Sequence, residues 1–240
     1  MSTTSRTAPE QPVVVLTGAG ISAESGVPTF RGEEGLWRDY SPQELATPEA
    51  FRRDPVLVWE WYEWRRGLIG PCQPNPAHET LAEMERALAD FTLITQNVDG
   101  LHQAAGSQRV LELHGNIWRT RCTRCGNRTE DRKVPLPDVP PHCASCGGLL
   151  RPDVVWFGEP LPREVLDAAW RAAARCRTML VVGTSAVVEP AASLPLVALR
   201  NEARVVEINP GQTPLSTYAH QTLREPAGEA LPRWWSAHSG

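Results

Sequence analysis

No stretch of this chain approaches the roughly 18 consecutive apolar residues that a bilayer-spanning helix needs, and the polar start, residues 1–11, lacks the apolar centre of a signal peptide. The expectation is a cytoplasmic protein with no membrane partner. Positive charge is in deficit as well. Lysine and arginine total 24 against 28 acidic residues, a net charge of −4, so no global field draws the chain to nucleic acid. Internal repeats and low-complexity blocks are absent, which leaves one compact enzyme-sized unit, read as a monomer. Cysteine is scarce at 6 of 240 residues, and four of those fall in two C-x-x-C pairs. In a cytosolic chain that spacing points to metal before disulfides. Cys72 and Cys176 are left over and read as packing residues.

What is present follows an alternating α/β pattern. Val13, Val14, Val15 and Leu16 form a continuous apolar run, and further runs at 91–95, 178–183 and 203–208 each lie beside a stretch of helical periodicity. Helices are predicted at 76–88, with Asn75 as N-cap before a proline, and at 162–177. Arg233, Trp234 and Trp235 read as part of a last helix. The pattern predicts a Rossmann-like, doubly wound parallel sheet. Two segments interrupt it, 33–74, rich in aromatics and arginine, and 119–154, which holds the cysteine pairs. They are read as a smaller inserted domain, part helical and part zinc ribbon, with residues 1–32, 75–118 and 155–240 as the large domain. A cleft between two lobes is a preferred ligand site.

Cys122, Cys125 and Gly126 repeat as Cys143, Cys146 and Gly147. Each C-x-x-C-G turn converges two thiolates, and the glycine admits a left-handed backbone. Two such knuckles supply four sulfurs to one structural Zn²⁺ with no open coordination position. His142 would be surplus to that shell.

After the first apolar run, Gly18, Ala19 and Gly20 with Ala23 fit a G-x-G-x-x-G/A fingerprint for a dinucleotide. A conventional dehydrogenase then places an acid about 20 residues on to hold the ribose. Here that region is a charged, glycine-rich loop, which argues against hydride transfer. The fingerprint is followed, in order, by Phe30-Arg31, Thr95-Gln96-Asn97-Val98-Asp99-Gly100-Leu101-His102, Leu113-His114-Gly115 and Gly183-Thr184-Ser185. This ordered set, spanning about residues 13–209, resembles the sirtuin family of NAD-dependent protein lysine deacylases. The resemblance implies that Phe30 shields the reactive sugar face of NAD and that Arg31 positions its loop. It gives Gln96, Asn97 and Asp99 to the nicotinamide ribose and carboxamide, Gly183, Thr184, Ser185 and Asn209 to phosphate and adenosine, and Ala227 to the adenine side. His114 would be the general base on a ribose hydroxyl, a task suited to an imidazole with an ordinary pKa of about 6.5. His78, His102, His220 and His238 are read as structural.

The implied reaction consumes NAD and an acylated lysine of a protein or peptide, and releases nicotinamide, free lysine and O-acyl-ADP-ribose. Val155 and Phe157 resemble residues lining the lysine tunnel. Tyr62 and Arg65, three apart, share a helix face and suit a second carboxylate on the acyl group. With the small Ala46 they resemble the subgroup that removes succinyl and malonyl groups. Other readings stay open from the sequence: a general deacetylase, a mono-ADP-ribosyltransferase, an NAD-dependent dehydrogenase, or a zinc-ribbon protein that senses NAD without catalysis.

Overall fold

The computed structural model describes residues 8–29 and 41–239, so Phe30 and Arg31 lie outside the described residues. Val13–Thr17 (β1) sends alternate side chains to opposite faces, as a pleated strand must. Val13 and Val15 enter one apolar cluster with Leu81, Met84 and Trp234, while Val14 and Leu16 enter another with Ala169, Met179 and Leu194. A strand buried on both faces needs helices on both sides. β1 pairs in parallel with Phe91–Thr95 (β2) on one edge and Thr178–Val182 (β7) on the other. Val110–Glu112 (β3), Arg204–Ile208 (β8) and Gln221–Leu223 (β9) complete a parallel sheet of order β3-β2-β1-β7-β8-β9. The Rossmann-like sheet expected from the sequence is present. Its order reverses beside β1, which creates a switch-point crevice beyond the carboxyl ends of the strands.

Pro76–Ala87 (α5) starts where the sequence places it. Asn75 Oδ1 accepts the Ala77 amide at 3.0 Å, and the Asn75 amide donates to His78 Nδ1 at 3.3 Å. The apolar face of α5 packs with Ala227–His238 (α9) on one side of the sheet; Arg163–Arg175 (α7) and Leu194–Arg200 (α8) cover the other. Two one-turn helices, Gly20–Ala23 (α1) and Leu101–Ala104 (α6), follow the first two strands.

Gly115–Cys122 (β4) is the centre of a second, antiparallel sheet between Arg128–Glu130 (β5) and Leu150–Val154 (β6). The boundary expected at 118/119 falls inside β4, because one strand runs from Gly115, next to His114, into the first cysteine knuckle. Pro42–Leu45 (α2) leads to Pro48–Arg53 (α3) and Pro55–Ile69 (α4). Thr47 Oγ1 accepts from Ala50 N and Asp54 Oδ1 from Leu57 N, so both longer helices have capped starts. Their apolar faces join β4 and β6 in a third cluster that includes Phe51, Trp59, Tyr62, Ile117 and Trp156. Arg66 is wholly buried there, its Nε donating to Ile117 O at 2.9 Å and its guanidinium lying 5.4 Å from the Trp59 ring centre and 5.8 Å from that of Trp118.

Candidate active site

The loops after β1 and β7 are seated on one another. A Cβ on Gly20 would meet Gly183 Cα at 2.8 Å, one on Gly18 would meet Thr184 Cβ at 2.7 Å, and one on Gly183, at φ +61°, would meet Ile21 N at 2.2 Å. The fingerprint in the sequence accounts for Gly18 and Gly20 by ligand approach alone. The structure adds an earlier requirement, the seam between two strand-end loops.

That seam is the floor of a crevice lined by Gly18, Ala19, Gly20, Gln96, Asn97, His114, Gly183, Thr184, Ser185 and Asn209, with Thr29 and Val188. Each predicted group on this wall follows the carboxyl end of a strand of the parallel sheet; His114 comes two residues after β3 and immediately precedes β4. Gln96 Nε2 donates to Thr184 Oγ1 at 2.9 Å, and Asn97 Nδ2 to Gly18 O at 3.1 Å, so three strand ends are tied together. Asp99 and Ala227 are not on this wall. Asp99 is buried two hydrogen bonds behind it, linked to Asn97 through Ser22, and accepts from Ser22 Oγ at 2.8 Å and Leu101 N at 2.9 Å. Burial pushes its carboxyl above the usual range, opposed by those two donors and by the Arg65 charge. Ala227 sits at the start of α9 within the core cluster.

Sequence reasoning missed the polar chain that supports this wall. Ser22 Oγ also receives Asn97 Nδ2 at 3.2 Å and lies 3.3 Å from His78 Nε2. Beneath it, His102 Nε2 is 2.9 Å from Thr17 Oγ1, Thr17 donates to Thr95 Oγ1 at 2.8 Å, and Thr95 Oγ1 accepts the Asn97 amide at 3.0 Å. Burial drives the His78 imidazole down to about 4 and that of His102 to about 3, so both are neutral at neutral pH. Partners separated by 56 to 85 positions leave no local spacing to read.

His114 Nδ1 lies 2.9 Å from Gln96 O. A carbonyl oxygen only accepts, so Nδ1 carries the proton and Nε2 keeps its lone pair. Burial lowers the His114 pKa from its ordinary value, with the Gln96 bond acting in the opposite direction. At neutral pH this imidazole is a free base.

A second cavity meets the crevice at His114, and Gln96, His114 and Val188 line both. Ala46, Tyr62, Arg65, Val155 and Phe157 line the second cavity, so all five predicted substrate residues come together. β4 and β6 set the approach: Gly115 pairs with Val154, and Val155 N donates to His114 O at 2.9 Å. Phe157 N donates to Ala46 O, which joins the segment after β6 to the helical insertion. Tyr62 and Arg65 come from one face of α4. Arg65 is 5% exposed, with its guanidinium 4.9 Å from the Trp61 ring centre and 5.7 Å from that of Tyr62. Burial lowers its pKa, against the pull of Tyr62 and Asp99. A cation held this deep is stabilised by an anion entering the cavity.

At the far end of β4, the sulfurs of Cys122, Cys125, Cys143 and Cys146 all lie within 4.8 Å of one another. Cys122 and Cys146 are 3.5 Å apart, and Cys125 and Cys143 3.9 Å. A tetrahedron of thiolates at Zn–S of about 2.3 Å has edges of about 3.8 Å, so the four sulfurs fit a structural Zn²⁺. Gly126 and Gly147 have φ of +73° and +70°, the left-handed turns expected of the knuckles.

A parallel sheet with its crevice at the switch point, joined to a four-cysteine ribbon, defines a dinucleotide-binding α/β protein with an inserted metal module. Residues 18–190 match the Sir2 family, and the chain belongs to that family. An NAD-dependent protein deacylase of Aquifex aeolicus is 57% identical over 221 residues, covering 92% of each chain. NAD-dependent protein deacylase 2 of Pyrobaculum aerophilum is 58% identical over 220 residues, 92% of this chain and 88% of the relative. A solved Sir2 homolog–NAD complex superposes with a TM-score of 0.89 at 51% identity, covering 95% of this chain and 89% of the other. A Sir2 variant with a deacetylated p53 peptide and 3'-O-acetyl ADP-ribose gives 0.84 at 37% identity, covering 94% and 93%.

Proposed function

We propose that this chain is an NAD-dependent protein lysine deacylase whose acyl pocket favours succinyl and malonyl groups over acetyl. The observation that carries the reading is the shared wall of Gln96, His114 and Val188 between the crevice and the Arg65 cavity. NAD in the first and an acyl-lysine in the second would meet at His114. The strand-end loops would hold the dinucleotide, Asn97 and Gln96 orienting its ribose, and Val155 and Phe157 would flank the lysine stem. The acyl oxygen would attack C1′ of the nicotinamide ribose as nicotinamide leaves, and His114 Nε2 would then take the proton of a neighbouring ribose hydroxyl as that oxygen attacks the acyl carbon. Tyr62 and Arg65 would bind the distal carboxylate, with Ala46 leaving room for it. Zn²⁺ on the four cysteines would hold the ribbon and take no part in the chemistry.

The test is turnover of matched acetyl-, malonyl- and succinyl-lysine peptides with NAD, read by mass spectrometry. The expected result is nicotinamide released in step with free lysine, and a higher kcat/KM for the two acidic acyl groups. Deacylation without nicotinamide release overturns the NAD-dependent reading, and an equal or higher kcat/KM for acetyl-lysine overturns the acyl preference.

A further inference from the structure

Among the described residues, the Tyr62 hydroxyl has one hydrogen-bond partner, the indole of Trp156, whose Nε1 lies 2.9 Å from the phenol oxygen. Indole nitrogen only donates, whereas a phenol has one proton to give and lone pairs to receive. The direction of this bond is therefore fixed. Trp156 gives its proton, Tyr62 receives it, and the Tyr62 hydroxyl proton remains for the cavity.

Trp156 is itself held in place. Glu159 receives both the Trp156 amide, at 3.0 Å, and the Arg151 guanidinium, through two bonds of 2.6 and 2.9 Å. That guanidinium lies 3.4 Å from the centre of the Trp156 ring, and Phe51 packs on the same ring at 5.2 Å. A cation against the ring makes the indole N–H a stronger donor, and a phenol that accepts such a bond becomes a better donor in turn. Trp156 does not line the cavity, so it reaches a ligand only through Tyr62.

We propose that Trp156 is a positioning residue for acyl choice, fixing the Tyr62 hydroxyl as a proton donor toward the distal carboxylate of the acyl group. This rests on the acidic-acyl reading above. A hydroxyl committed as donor complements an acceptor-only carboxylate and gains nothing from the methyl end of acetyl-lysine.

The test is Trp156→Phe, which keeps an aromatic ring against Arg151 and Phe51 and removes the N–H. The quantity read is the ratio of kcat/KM for succinyl- and acetyl-lysine peptides. A fall of roughly 2- to 10-fold in that ratio is expected, the factor carried by one neutral hydrogen bond. In a Tyr62→Phe background the same substitution should leave the ratio unchanged, because the group it acts through is gone. An unchanged ratio in the first background, or an equal fall in both, overturns the proposal. A second measurement leaves Trp156 in place: 3-fluorotyrosine at position 62 is a stronger donor and a weaker acceptor, so the ratio should rise, and a fall overturns the donor assignment. A wild-type chain that favours acetyl-lysine overturns the acidic-acyl reading and this proposal with it. A wild type that favours succinyl-lysine, with Trp156→Phe silent, overturns this proposal alone.

Discussion

The imidazole of His114 is anchored through Nδ1 to the carbonyl oxygen of Gln96, 2.9 Å away, while both residues line the two cavities that meet between them. One bond thus fixes which nitrogen is free and where it points. His114→Ala should lower kcat by about 10²- to 10⁴-fold with NAD binding largely retained, as measured by steady-state kinetics and calorimetry. Because burial lowers the pKa, the acidic limb of the kcat/KM profile should lie below pH 6.5. A limb above that value would contradict the assignment.

Arg65 contributes the charge in the second cavity. A charge-assisted hydrogen bond is worth about 1.5 to 3 kcal/mol, so Arg65→Met should lower kcat/KM for succinyl-lysine by about 10- to 150-fold. Acetyl-lysine should change only a few-fold. Equal losses on both peptides would assign Arg65 to support of the helical insertion.

The four-cysteine cluster predicts one tightly held zinc per chain, countable by elemental mass spectrometry. Cys143→Ser should lose the metal, lower Tm and abolish activity through the ribbon. Active protein with no zinc would refute the ligand set.

His78 and His102 make stability depend on acidity. Their folded pKa values, about 4 and about 3, lie below the unfolded value of 6.5, so only the unfolded chain takes up these protons as pH falls from 6.5 toward 4. Their stabilising effect is complete above pH 6.5 and is lost at about 1.4 kcal/mol per pH unit for each imidazole. Urea melts at pH 7.5, 5.5 and 4.5 should show this decline. His102→Asn should halve these two residues' share of the slope, and an unaltered slope would remove His102 from the account.

The parallel sheet was legible because its strands are buried on both faces, which leaves continuous apolar runs with nothing to confuse them. The strand expected at 91–95 coincides with β2, and the helix expected at 76–88 ends one residue later than α5. Cysteine knuckles and the α4 pair Tyr62 and Arg65 were legible because each is a short-range spacing. The support beneath the wall was not. Thr17, Thr95, Ser22, His78 and His102 are single polar residues whose meaning comes from pairing across the sheet, and Trp156 acquires its direction only from a phenol 94 positions away. Gly18 and Gly20 were visible as glycines, but the loop that excludes their side chains lies beyond β7.

The interlocked glycine loops also bear on inhibitor design. A floor built from Gly18, Gly20 and Gly183 offers a ligand mainly peptide groups, and peptide groups are the same in every protein. A compound that binds only there has little with which to single out this chain. Selectivity has to be gained by extending past Gln96 and His114 to the aromatic and cationic side chains on the other side, and an acidic tail reaching Arg65 is the most direct way to obtain it.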